Sequence, residues 1–411
     1  MANSIATRWR ELSGENEWEG LLQPLDTDLR QYIIHYGQRT SAVGDLFDSN
    51  TYGPKTSKEQ FFTEACLIKG NPYKYEVTDF IYAASDIVKS AWIGYVAVST
   101  DEGKQVLGRR DVLVAWRGTG TPSEWIGDIL ALQVSPSYLF PTAAEYNALV
   151  HSGFHSLYIG TVPDSIRSKT SAREQVLTAV KKLVNKYKQE ELSITVTGFS
   201  LGGALATLTA MDIVANGYNK PTGSTAPFMV TAFVFGCPRV GNAGFKPLFD
   251  SLRDDNLRLL RMKNNMDSVP LLPPLGYTDV GNVLNVNTSV SKYLKKMLVG
   301  FTSDAFPDGS GDEVGNDISL VNEDDHEDKK KIISGWINNL YTCHNMDVYM
   351  HGVAIENIAK DTPAGELDYD LPLVNKYLDH VKDDYKIPME WWDGENRKQM
   401  EQMDDGGWRI M

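Results

Sequence analysis

Between residues 192 and 211 the spacing of apolar side chains changes from every second residue to every third or fourth. Leu192, Ile194 and Val196 alternate with Ser193, Thr195 and Thr197, which predicts a strand. Leu201, Leu205, Leu208 and Met211 then recur at helical spacing with no proline to interrupt them. Four other apolar runs, near 93–98, 111–116, 228–235 and 257–262, predict further strands; the near-continuous ones are of the kind buried on both faces. Residues 173–188 form an amphipathic pattern, with Val176, Val180, Leu183, Val184 and Tyr187 on one stripe. Helical patterning returns at 344–360 and 371–384, and Asp101-Glu102-Gly103 predicts a turn. Strands alternating with helices imply an α/β protein with a mixed, mostly parallel sheet flanked by helices.

The flanks read differently. Residues 1–70 predict an N-terminal helical wrap anchored by Trp9, Leu12, Trp18, Leu21, Leu22 and Leu25, with Asp26 capping a helix through Leu29, Tyr32, Ile33 and Tyr36. Residues 385–411 predict a short irregular C-terminal cap. Within 299–330 ten acidic residues precede Lys329-Lys330-Lys331, as in a solvated, mobile loop; the spacing of an EF-hand calcium loop is absent. No repeat is apparent, and the whole of 1–411 reads as one domain.

Strand and helix meet at Gly198-Phe199-Ser200-Leu201-Gly202. A G-x-S-x-G turn between a strand and a helix is the nucleophile elbow, which lifts a serine hydroxyl clear of the sheet. Glycines on either side avoid a collision with neighbouring backbone, and the new helix points free N–H groups at developing negative charge. A serine needs a base. In the chain order serine, acid, histidine, the histidines beyond Ser200 are His326, His344, His351 and His380. His326 falls in the acidic loop and His380 among charges on a predicted last helix. His344 and His351 are hardly separable on the residues alone, although His344 comes first, at a loop–helix junction. For the acid, Asp267 follows a predicted buried strand; Asp279 is the runner-up, its plainer reading a turn aspartate. The two oxyanion donors expected are the backbone N–H of Leu201 and a group at Gly118-Thr119, after an earlier strand. Residues 121–130 form a short amphipathic segment between Pro and Gly, read either as a lid or as an ordinary surface helix.

Composition narrows the function classes. A formal net charge of −14 argues against nucleic acid and against docking by charge on an anionic membrane. Cys66, Cys237 and Cys343 are odd in number and widely spaced, which suits a reducing compartment. The first residues lack the apolar core of a secretory signal and no stretch is long and apolar enough to span a bilayer. The expectation is a cytoplasmic protein without metal or cofactor, meeting lipid through apolar contact.

The sequence resembles the class 3 lipases of the α/β-hydrolase superfamily, and within them the plant class II phospholipases A1. The resemblance covers residues 18–26, Trp116-Arg117-Gly118-Thr119, the Ser200 elbow, residues 235–242, Asp267-Ser268-Val269-Pro270, residues 344–351 and Trp391-Trp392. It implies the α/β-hydrolase fold with a lid at 120–132, a triad of Ser200, Asp267 and His344, and an oxyanion hole at Thr119 and Leu201. Phe199 stands where the family usually has histidine, outside the triad. The implied activity is hydrolysis of the sn-1 acyl ester of phospholipids at a lipid–water interface. Galactolipids or partial glycerides are alternative substrates, and a catalytically silent signalling scaffold is the rival of another class.

Overall fold

The computed structural model describes residues 4–84, 90–119, 132–254, 256–296, 342–359 and 361–411. The expected lid, apart from Leu132, and the acidic stretch 299–330 lie outside the described residues.

Seven strands form the central sheet: β1 (Tyr75–Ala83), β2 (Ala91–Ser99), β3 (Arg110–Trp116), β4 (Leu192–Phe199), β5 (Met229–Phe235), β6 (Leu257–Asn264) and β7 (Asn282–Val286). They lie side by side in chain order. β1 to β3 pair antiparallel and β3 to β7 pair parallel. This is the mixed sheet of the α/β-hydrolase fold. The strand section opens earlier than the apolar runs predict, at Tyr75 rather than near Ile93. β1 was hidden because its middle positions are only half-buried; β7 is short and carries Asn282 and Asn285.

Parallel strands added in one direction, each joined by a right-handed crossover, put every crossover helix on the same face. That face is covered by α3 (Ala172–Lys186) and α4 (Leu201–Ala215), which pack with Val112, Val114, Trp116, Ile194 and Val196. The opposite face has no crossover to cover it. It is filled instead by α1 (Ser4–Leu12), α2 (Thr27–Asp45) and α5 (Met346–Ile355), which share a core with Leu113, Ala115, Phe233 and Phe235. The two ends of the chain are thus structural halves of one layer. Asp26 caps α2 as its sequence predicts, accepting from Leu29 N at 3.0 Å.

Two local expectations fail. Asp101–Leu107 is a helix, not a turn: Thr100 caps it and Gly108 ends it in a left-handed conformation. Gly103 sits within it because the carbonyl of Lys74 would lie 2.2 Å from a Cβ there. No helix runs over 371–384; only the 3₁₀ turns Leu371–Asn375 and Asp383–Tyr385 form. Pro372 lacks an N–H, and the Asn375 side chain accepts from the backbone of His380 and Val381 at 2.8 and 2.9 Å, which gives the chain an alternative to helix. His380 is therefore not helical. Beyond it Trp391, Trp392 and Trp408 pack together, with the short hairpin Met400–Gln402 and Trp408–Ile410.

Candidate active site

At the carboxyl end of β4 the chain must reverse within one residue to start α4. Ser200 does so with φ 56° and ψ −125°, a strained conformation that costs about 1–3 kcal/mol. The surroundings hold it there. Ser200 N donates to Phe235 O at 2.9 Å, tying the elbow to the end of β5, and Gly203 N donates to Ser200 O at 2.8 Å. A Cβ at Gly198 would stand 2.0 Å from the carbonyl of Gly202, and one at Gly202 would stand 2.5 Å from that of Trp116. Any side chain at either position would break the elbow.

The loops after the neighbouring strands supply the rest. Gly118, two residues beyond β3, backs onto the elbow: a Cβ there would lie 3.4 Å from that of Ser200. Thr119 is the next residue. Leu201 opens α4, so its N–H has no acceptor within the helix. Leu201 thus borders Ser200 directly, and Thr119 follows the glycine that backs onto the elbow.

Asp267, just past β6, accepts the Val269 N–H on Oδ1 at 2.9 Å. Its Oδ2 lies 2.7 Å from His344 Nδ1. All three of Ser200, Asp267 and His344 are buried. His344 precedes the Asn345 cap of α5, which accepts from Asp347 N and Val348 N. The carboxylate fixes the tautomer: Nδ1 carries the proton, and Nε2 keeps its lone pair. Among the described residues, Nε2 is buried with no hydrogen-bond partner. His344 also closes against the elbow from two sides. Its ring stacks on Phe199 with centroids 4.5 Å apart, and a Cβ at Gly236 would meet the imidazole at 2.9 Å. Phe199, which precedes Ser200, and Gly236, which follows β5, thus enclose the imidazole.

The other candidates are elsewhere. His351 Nε2 bonds Ser291 Oγ at 2.8 Å, and burial pushes its pKa down to about 3. Asp279 is bound by Arg261, Lys263 and Arg239. Burial would raise its pKa, but the Arg261 and Lys263 charges hold it below the usual carboxylate range. His380 Nε2 lies 3.1 Å from the carbonyl of Thr342. His326 lies outside the described residues. Two neighbours of the site escaped sequence reasoning. Phe199, set aside as a position outside the triad, packs on its base. Tyr349 donates its hydroxyl to Asp267 Oδ2 at 2.6 Å; its place five residues after His344 was the available signal.

Residues 113–277, which contain Ser200 and Asp267, match the family model described as Lipase (class 3). Phospholipase A1-IIgamma of Arabidopsis thaliana is 39% identical over 439 residues, covering 100% of this chain and 94% of that protein. Phospholipase A1-II 6 of Oryza sativa subsp. japonica is 40% identical over 440 residues, covering 100% and 96%. The chain belongs to the class 3 lipase family. Its alignments with these relatives extend through His344, which the family model does not reach. As a class 3 lipase, the chain is a serine carboxylic-ester hydrolase of the α/β-hydrolase fold.

Proposed function

We propose that this class 3 lipase hydrolyses the sn-1 acyl ester of phospholipids through an acyl-enzyme on Ser200. Ser200 Oγ attacks the ester carbonyl as its proton passes to His344 Nε2, and Asp267 stabilises the imidazolium without taking its proton. The N–H of Leu201 and Thr119 bind the oxyanion, each donor worth ~10²–10³ in rate. As the tetrahedral species collapses, Nε2 returns the proton to the departing lysophospholipid oxygen. Water, deprotonated by the same nitrogen, then releases the fatty acid and restores Ser200. One observation carries the reading: a buried imidazole, oriented by a carboxylate at 2.7 Å and with no partner on Nε2 among the described residues, stacks on Phe199, the neighbour of a serine held in a strained elbow.

The phospholipid substrate and the sn-1 position rest on the full-length relatives, whose names describe that activity. Contact with the lipid surface is apolar in this proposal. Leu132 and Leu275 are 82% and 78% exposed, on segments joined by Gln133 Nε2 donating to Gly276 O at 2.7 Å, while the chain as a whole carries a net charge of −14. Residence in the cytosol also belongs to the proposal, supported by three free cysteines; subcellular fractionation tests it. No described helix is long and apolar enough to cross a membrane.

Product analysis on a phospholipid with distinguishable chains at its two positions tests the substrate and the regiochemistry together. Release of the sn-1 acid with 2-acyl lysophospholipid is expected. Exclusive release of the sn-2 acid, or no release while a galactolipid or a partial glyceride is cleaved, would overturn it.

A further inference from the structure

Asp267 does not serve His344 alone. Its Oδ2, the oxygen facing His344 Nδ1 at 2.7 Å, also accepts the Tyr349 hydroxyl at 2.6 Å. Both side chains are buried, as is the carboxylate. Two donors thus compete for the charge of one oxygen in a site where charge-assisted bonds are strong. We propose that Tyr349 is a positioning residue that sets the proton affinity of His344 through Asp267. This rests on the triad reading above and adds to it a control on the base.

The physical argument runs through the carboxylate. A phenol that donates to Oδ2 draws negative charge toward itself, so less remains to stabilise the imidazolium. It also locks the carboxylate's rotation, which aims Oδ2 at Nδ1. Without the phenol more of the carboxylate's charge is left to face the imidazolium. Burial and the Asp267 charge keep the phenol well above its ordinary pKa, so it remains a donor throughout the working range.

The Cys343 thiol is pushed up to about 11 by burial and stays neutral. Phe199 and Gly236 present only apolar atoms to the ring. On the side of α5 toward α2 and the C-terminal segment, Asp347 is engaged with Lys376 and Tyr369. Lys376 is shared with Asp45 of α2. His351, two turns along the helix, bonds Ser291.

The test is the pH dependence of kcat/KM on a soluble ester, whose acid limb reports the free enzyme's base. Tyr349→Phe should move that limb upward by about half a unit to one unit. Turnover on the plateau should fall about tenfold, because the carboxylate loses the bond that aims Oδ2 at Nδ1, with KM little changed. Incorporating 3-fluorotyrosine at 349, a more acidic phenol of nearly the same shape, should move the limb downward. This second variant carries the test alone if the phenylalanine variant does not fold. A limb that stays in place in the folded variants would overturn the inference and reduce Tyr349 to packing. Ser200→Ala, assayed alongside, separates the two levels: if it abolishes turnover while the limb stays in place, only the role of Tyr349 is lost. Full activity in Ser200→Ala would remove the triad reading and this inference with it.

Discussion

Each end of the sheet buries a carboxylate bonded to tyrosine. Asp111, near the amino ends of β3 and β4, accepts from Tyr75 at 2.6 Å, Tyr36 at 3.0 Å, Ser193 at 2.7 Å and Thr195 at 2.8 Å, with Arg109 at 3.6 Å. Asp267, at the carboxyl end, accepts from Val269, Tyr349 and His344. Both are nearly inaccessible, and both bond to tyrosine. At Asp111 the surrounding hydroxyls and the guanidinium bond to one another, and the network runs on through Tyr75 to His35 Nε2 at 3.3 Å; His35 Nδ1 is buried without a partner among the described residues, but no serine elbow adjoins it. At Asp267 the chain of bonds ends on His344, whose buried Nε2 has no partner among the described residues and whose ring stacks on Phe199, next to a serine that only a strained backbone presents. Burial and hydrogen bonding make a polar cluster rigid; an open nitrogen at its end serves chemistry only where a nucleophile is presented nearby.

Breaking the reactive end should cost activity and leave the fold. Ser200→Ala should lower kcat on a phospholipid substrate by about 10⁶-fold, judged from analogous triads. Circular dichroism and the melting temperature should stay close to wild type. Asp267→Asn should lower kcat by ~10⁴-fold, because an amide favours the wrong imidazole tautomer; an assay of the same substrate at its pH optimum reads it. Breaking the Asp111 end should do the reverse. Asp111→Ala strands Arg109 in the interior and should cost about 3–5 kcal/mol in urea unfolding, while the kcat/KM of the folded fraction holds.

The smallest effect sharpens the contrast between the two histidines. An unfolded histidine binds a proton near pH 6.5, but burial keeps His351 neutral down to about 3. The unfolded state therefore binds more protons in between, so the stability contributed above pH 6.5 is lost as pH falls toward 3. His351→Gln should remove about 1 kcal/mol of that loss at pH 5.5, seen as a flatter acid side in the stability profile. Turnover at pH 8 should stay near wild type. A large loss of activity there would give His351 a part in the reaction that its bond to Ser291 does not suggest.

Much of the site was legible because its signals are local. The elbow needs only a strand period, a helix period and glycines at 198 and 202, all within 192–211, and each of these agrees with the backbone that forms. The Asp111 cluster was not legible. Tyr32, Tyr36 and Tyr75 look like ordinary apolar anchors until folding lays α2 across β3 and β4. Nor was the polar half of the β4 alternation readable as buried: Thr197 bonds Thr40 of α2 at 2.7 Å, so what looks like a solvent face is an interface. The missing helix at 371–384 shows the converse, where side-chain capping by Asn375 overrides an apolar period.

By itself, the sequence determined an α/β protein with a nucleophile at 200 and two acid candidates, Asp267 just past β6 and Asp279 just before β7. On the residues alone, it could not choose between His344 and His351. These lie seven residues apart, about two helical turns, so helical periodicity points both the same way. Only the tertiary structure separates them, by height above the sheet. α5 begins at the carboxyl rim beside the loop of Asp267, which puts His344 against the carboxylate and the elbow. Two turns further along, His351 is buried against Ser291 and Tyr293. The reason is geometric: a period fixes the direction of a side chain, whereas its depth is set by where the helix meets the strands.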